Sequence, residues 1–119
     1  MIYCVEDENA IRDLMVYTLK ASGFDAVGFD SGKGLWLALK EQLPELILLD
    51  IMLPGEDGLS ILKKLRSSPV TADIPVIIAT ARDSEYDKVI GLDSGADNYL
   101  AKPFGMMEMV SHLKAVAMI

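Results

Sequence analysis

The sequence predicts a three-layer, doubly wound α/β fold: five β-α units building a parallel five-stranded sheet of order 2-1-3-4-5, with helices on both faces. Short apolar runs alternate with amphipathic stretches five times along the chain. The third and fourth runs, Leu46–Leu49 and Ile74–Ala79, are continuous apolar blocks, the pattern of strands buried on both faces. Strand–helix alternation of this kind gives parallel strands joined by right-handed crossovers. The order 2-1-3-4-5 is a common arrangement of five such units.

Each element has its own signal. A first strand is expected at Ile2–Val5. Ile11, Leu14, Met15, Thr18 and Leu19 then recur at helical spacing, with Glu8 or Asn9 as the cap and Ser22-Gly23 as the stop. A second strand at Ala26–Phe29 leads to a helix carrying Leu35, Ala38, Leu39 and Gln42, which ends before Pro44. After the third strand, Leu59, Leu62 and Leu65 share one helix face. Tyr86, Val89, Ile90 and Asp93 form the fourth stripe, closed by Ser94-Gly95. The fifth strand is expected at Tyr99–Ala101, and Met106, Val110, Leu113 and Ala117 form the last stripe. Met106, Met107 and Met109 read as ordinary helix residues, and Trp36 and Cys4 as core or near-core.

The 119 residues make one domain, 1–119, with no room for a second. Hydrophobic residues make up 51% and charged residues 24%, which excludes disordered, collagen-like and disulfide-scaffold classes. Eleven basic against 18 acidic residues give a net charge of −7, a surface that repels nucleic acid, so no direct nucleic-acid contact is expected. The single cysteine, Cys4, excludes an internal disulfide and a multi-cysteine metal cluster, and suits a reducing compartment. No apolar run approaches the ~18 residues of a membrane span, and MIYCVEDE turns acidic before a signal-peptide core could form. The expectation is a soluble cytoplasmic protein with no membrane partner.

In a doubly wound sheet the functional edge lies beyond the carboxyl ends of the strands. Glu6, Asp7 and Glu8 follow the first strand and Asp50 the third. Thr80-Ala81-Arg82 follow the fourth, and Lys102-Pro103-Phe104 the fifth. Strands 1, 3, 4 and 5 are neighbours in the predicted order, so carboxylates, a hydroxyl and an ammonium converge on one crevice. Close carboxylates repel by ~4 kcal/mol at an effective dielectric near 20, and persist together when protonated or held by a cation. Oxygen-only ligands favour Mg²⁺, with Mn²⁺ as the alternative. A phosphoryl group arriving at Asp50 would meet the metal, Lys102 and a Thr80 hydrogen bond, the electrostatics that transfer to a carboxylate requires.

These residues also resemble a known family. Glu6-Asp7, Asp50 followed by Met52-Leu53-Pro54-Gly55-Glu56-Asp57-Gly58, Thr80-Ala81-Arg82, and the run Gly95 to Phe104 are similar to the motifs of response regulator receiver domains in two-component systems, nearest the OmpR/PhoB type. That fold is the flavodoxin-like receiver fold. The resemblance implies that Asp50 accepts a phosphoryl group from a phosphohistidine on a sensor histidine kinase. It implies Mg²⁺ ligation by Asp7, Asp50 and the Met52 backbone carbonyl, with Glu6 acting through water. Thr80 and Tyr99 resemble the family's switch pair, Ala81 lies beside the phosphoryl, and Lys102-Pro103 resembles its cis peptide. Such a domain is no ordinary enzyme: it is a phosphoacceptor that assists its own phosphorylation and dephosphorylation, and passes the change to an output domain or downstream protein.

Rival functions on this fold fit less well. An FMN binder needs a hydroxyl- and glycine-rich loop after the first strand, where this chain has Glu6-Asp7-Glu8. A dehalogenase-type phosphatase needs an acid two residues beyond its nucleophile, and here that residue is Met52. The runner-up is a receiver-like docking module whose output does not depend on phosphorylation. Ser67–Pro75 is longer than is usual in the OmpR/PhoB type and is closer to stand-alone or kinase-linked receivers. The chain reads either as a free-standing receiver or as a piece of a longer regulator.

The family's dimer face carries reciprocal ion pairs. By resemblance Lys88 and Glu108 match one pair, but Asn98 and His112 stand where the other has an acid and an arginine. Met118 and Ile119 replace a basic residue near the end. The expectation is a weak or altered homodimer, with no catalytic role for His112.

Overall fold

The computed structural model describes residues 1–117, arranged as β1 (Ile2–Val5), α1 (Asn9–Ala21), β2 (Ala26–Phe29), α2 (Gly32–Glu41), β3 (Leu46–Leu49), α3 (Gly58–Ser67), β4 (Val76–Thr80), α4 (Glu85–Asp93), β5 (Asn98–Ala101) and α5 (Met106–Ala117). The strands pair in parallel in the order β2-β1-β3-β4-β5. Met118 and Ile119, part of the dimer expectation, lie outside the described residues. Among the described residues no helix is long and apolar enough to cross a membrane.

Alternation along each strand sorts the core into two layers. Tyr3, Val5, Ile47, Leu49, Val76 and Ile78 pack with Leu35 of α2 and Ile61, Leu62 and Leu65 of α3. Ile2, Cys4, Leu46, Leu48, Ile77 and Leu100 pack with Met15 and Leu19 of α1 and Met109, Val110 and Leu113 of α5. Every residue of β1, β3 and β4 is buried, as central strands require.

Three local expectations need correction. β4 begins at Val76 and not at Ile74, because Pro75 has no N–H to enter a ladder. Glu8 occupies the cap position of α1 but makes no side-chain cap bond, and Asn9 instead accepts from the Arg12 guanidinium. The α4 stripe does not face inward. Tyr86 is 74% exposed and Val89 47%; Gly91 is the buried residue of that helix, and a Cβ there would meet Ile78 and Tyr99 at 2.8 and 2.9 Å. Of the methionines Met109 is buried and Met107 exposed.

Candidate functional site

The carboxyl ends of β1, β3, β4 and β5 deliver the side chains. Glu6 follows β1 and is 2% exposed; its Oε2 accepts from the Glu8 N–H at 3.1 Å. Asp7, next in the chain, is exposed. Asp50 follows β3, 4% exposed, with Oδ1 accepting from the Met52 N–H at 2.9 Å. Lys102 follows β5 and donates from Nζ to Asp50 Oδ2 at 2.8 Å and to Glu6 Oε1. Its backbone N–H bonds the Thr80 carbonyl at 2.8 Å, and the Lys102–Pro103 peptide is cis.

The crevice has a volume of about 230 Å³ and is lined by Glu6, Asp7, Glu8, Asp50, Met52, Ala81 and Lys102. Ligand oxygens of Glu6, Asp7 and Asp50 all lie within 4.8 Å of one another. One ammonium against these three carboxylates leaves a formal charge of 1 − 3 = −2. An oxygen-only, doubly negative, partly open cluster is the donor set of a hard divalent cation, so the residues fit Mg²⁺ or Mn²⁺.

Burial and charge shape the titration. Burial pushes the Glu6 carboxyl above its ordinary range, and the neighbouring Asp50 charge adds to that, against the lowering effect of the Lys102 and Glu8 hydrogen bonds. Burial alone would lower the Lys102 ammonium. Its bonds to Asp50 and Glu6 outweigh that and hold it above the ordinary lysine value. The lysine therefore stays charged between the carboxylates.

Thr80 is fully buried at the end of β4, and among the described residues its Oγ1 is the buried side-chain polar atom with no hydrogen-bond partner. An unpaired buried hydroxyl costs ~1–3 kcal/mol, and Thr80 itself is not among the residues that line the crevice. Tyr99 is half-buried, with its hydroxyl donating to the Arg82 carbonyl at 2.5 Å, and burial raises its phenol. That bond ties β5 to the loop after Thr80.

The remaining candidates lie elsewhere. Asn98 Oδ1 accepts from the Tyr99 N–H at 2.7 Å, so its amide Nδ2 donates to His112 Nδ1 at 2.9 Å. His112 Nε2 faces Glu108 Oε2 at 3.9 Å. The pair that stands in place of an acid and an arginine is thus satisfied within the chain. Lys88 is exposed on α4.

Sequence reasoning gave no role to two residues at this edge. Arg82 lines a second cavity of about 440 Å³ with Asp7, Met52 and Asp57. Gly58 starts α3 against the acceptor's own backbone: a Cβ there would lie 2.1 Å from the Asp50 carbonyl oxygen. Its place in the Pro54–Gly58 run was visible, but the contact is tertiary.

The model of the response regulator receiver domain matches residues 2–114. The chain belongs to the response regulator receiver family. This receiver is 45% identical over 115 residues to the phosphate regulon transcriptional regulatory protein PhoB of Klebsiella pneumoniae, covering 97% of this chain and 50% of that protein. It thus spans about half the length of the relatives it matches. A response regulator of Chloroflexus aurantiacus superimposes with a TM-score of 0.93 at 29% identity, covering 99% of this receiver and 97% of that chain. The receiver domain of the Pseudomonas aeruginosa sensor histidine kinase PA1611, solved with magnesium in its active-site cleft, superimposes with a TM-score of 0.88 at 27% identity, covering 99% and 97% of the two chains. The response regulator Rcp1, solved in a Mn²⁺-bound form, superimposes with a TM-score of 0.82 at 28% identity, covering 96% of this receiver and 91% of that chain.

Proposed function

We propose that this receiver, acting in the cytoplasm, takes a phosphoryl group from a sensor kinase phosphohistidine onto Asp50. The observation that carries the reading is the pairing of the buried Asp50 Oδ2 with Lys102 in a crevice it shares with Glu6 and Asp7. An Asp50 carboxylate oxygen forms the new O–P bond as the N–P bond breaks, and the histidine nitrogen keeps the electron pair. The Met52 N–H holds Asp50 Oδ1, which fixes the carboxylate plane. Lys102 carries positive charge to the transferred oxygens, and Thr80 donates its hydrogen bond to one of them. Asp7, Asp50 and the Met52 carbonyl would hold Mg²⁺, or Mn²⁺ as an alternative, with Glu6 as a further, water-mediated partner; when bound, the cation would supply positive charge against the phosphoryl oxygens. Lys102 and Thr80 equally assist the return step, in which a water oxygen bonds phosphorus as the Asp50 O–P bond breaks, the carboxylate keeps the electron pair and inorganic phosphate leaves.

An apolar groove of about 380 Å³, lined by Ile11, Leu14, Ala81, Lys102, Pro103, Phe104 and Met106, shares Ala81 and Lys102 with the crevice. A kinase helix seated there would bring its phosphohistidine over Asp50. On the far side of the switch, Tyr99 binds the Arg82 carbonyl and packs against Gly91. Movement of Thr80 toward the phosphoryl therefore shifts the 81–84 loop and α4, whose exposed Tyr86, Val89 and Leu92 face an output domain or downstream protein.

Incubation with a small acyl phosphate and Mg²⁺, followed by intact mass, tests the reading. One added phosphoryl group is expected, absent in chelator and in Asp50→Asn, and present in Asp25→Asn. A receiver that stays unmodified would be a docking module and would overturn the proposal.

A further inference from the structure

Asp7 is the exposed member of the acidic cluster, and among the described residues no hydrogen bond holds its carboxylate. What the fold holds instead is the peptide that joins it to Glu6, and with it the place of the Asp7 Cα. The carbonyl of that peptide accepts from Arg12 Nη1 at 2.8 Å, while Arg12 Nη2 reaches Asn9 Oδ1 at 2.7 Å. One guanidinium thus spans the turn between β1 and α1 and fixes both ends of it.

The arginine has a prepared seat. Its stem crosses Gly28 of the edge strand β2, where a Cβ would lie 2.7 Å from Arg12 Cγ and 2.9 Å from Cδ. A glycine inside a strand weakens it, and close approach of another group is a usual reason for one. Here the approaching group is Arg12. Gly28 pairs with Cys4, and the Glu6 N–H bonds Phe29, so strand, glycine and turn form one unit.

We infer that Arg12 is a positioning residue for the cation site, aiming Asp7 through the Glu6–Asp7 peptide, with Gly28 making room for it. This rests on the reading that Glu6, Asp7 and Asp50 hold a divalent cation. The sign of the effect separates positioning from charge. A guanidinium acting only as a nearby positive charge would repel Mg²⁺, and its removal would tighten binding. A positioning residue does the opposite: its removal weakens binding, by ~10–100-fold for partners that orient metal ligands.

Calorimetric Mg²⁺ titration of the wild type, Arg12→Met, Arg12→Lys, Gly28→Ala and the Gly28→Ala/Arg12→Met double variant tests this, with a urea melt of each. Arg12→Met is expected to weaken Mg²⁺ binding about tenfold or more. Arg12→Lys, which restores one donor to the Glu6 carbonyl, recovers part of the loss. Gly28→Ala weakens binding without touching an acidic residue, and adds nothing further in the double variant. Binding in Arg12→Met equal to or tighter than wild type, or full additivity in the double variant, would overturn the inference. If Arg12→Met does not fold, wild-type affinity in both Gly28→Ala and Arg12→Lys would overturn it equally. Absence of Mg²⁺ binding by the wild type would be a different result, striking the cation reading itself.

Discussion

Replacing Lys102 by methionine keeps the stem and removes the ammonium that Glu6 and Asp50 share. Those carboxylates are 2% and 4% exposed, so solvent replaces little of what is lost. Each opposite-charge pair contributes ~4 kcal/mol at about 4 Å and an effective dielectric near 20, offset largely by the cost of desolvating the ammonium. What remains after the change is two buried carboxylates with oxygens within 4.8 Å, repelling by ~3 kcal/mol on the same scale. We expect Lys102→Met to lose about 3 kcal/mol of stability at neutral pH without divalent cations. The pH dependence has a definite sign. Glu6 already sits above its ordinary value of 4.5, so its contribution is present at low pH and lost as pH rises through its folded value. Removing Lys102 deletes the hydrogen bond that opposes this, so the deficit is small below 4.5 and grows toward neutrality. In the wild type the lysine's own contribution is present below 10.5 and lost as pH rises through its folded value. Saturating Mg²⁺ supplies the missing positive charge and raises the variant's stability more than the wild type's. Urea melts at about pH 5 and pH 7, each with and without Mg²⁺, measure all of this. A neutral-pH midpoint equal to wild type, or a deficit unchanged by pH, would refute the electrostatic reasoning.

Thr80→Val replaces an unpartnered buried hydroxyl with a methyl, so it is expected to stabilise the unphosphorylated receiver by about 1 kcal/mol in a thermal melt while slowing phosphoryl uptake. A comparable destabilisation would mean that the hydroxyl is bonded. Gly58→Ala places a carbon 2.1 Å from the Asp50 carbonyl oxygen. We expect a loss of about 3 kcal/mol, read from the urea midpoint, and a change under ~1 kcal/mol would show that the backbone yields freely. Burial pushes the Cys4 thiol up to about 12, so thiol reagents at mildly alkaline pH should modify it only in urea. Rapid labelling of the folded protein would contradict its placement between the sheet and α1.

The parts of the fold that were legible in the sequence are those where burial leaves no choice. Leu46–Leu49 lies between two helical layers and must be apolar throughout, so its run announces itself. The stripe on α4 misled because a glycine, which carries no hydrophobic signal, is the contact residue, leaving Tyr86 and Val89 outside. Ile74 is buried yet outside β4, since its N–H is taken by the Thr71 carbonyl at 3.1 Å and the Pro75 that follows has none for a ladder. Glu6, Asp7, Asp50 and Lys102 were readable as neighbours because strand order alone brings strand ends together. Arg12 was not, because its partner is a backbone carbonyl, and side-chain periodicity says nothing about which carbonyls need support. Gly28 and Gly58 escaped for a related reason: each is defined by what approaches it across the fold.

Asp50, among all the carboxylates of this chain, is the one expected to carry the phosphoryl group. An acyl phosphate is reduced by borohydride to a primary alcohol, which converts a phosphorylated aspartate into homoserine. Treating the receiver with acyl phosphate and Mg²⁺, reducing it, and sequencing its peptides by mass spectrometry reads the position directly. Homoserine at position 50 and nowhere else, dependent on Mg²⁺, is the expected result. Homoserine at Asp7 or elsewhere with Asp50 intact, or an equal yield in chelator, would contradict it.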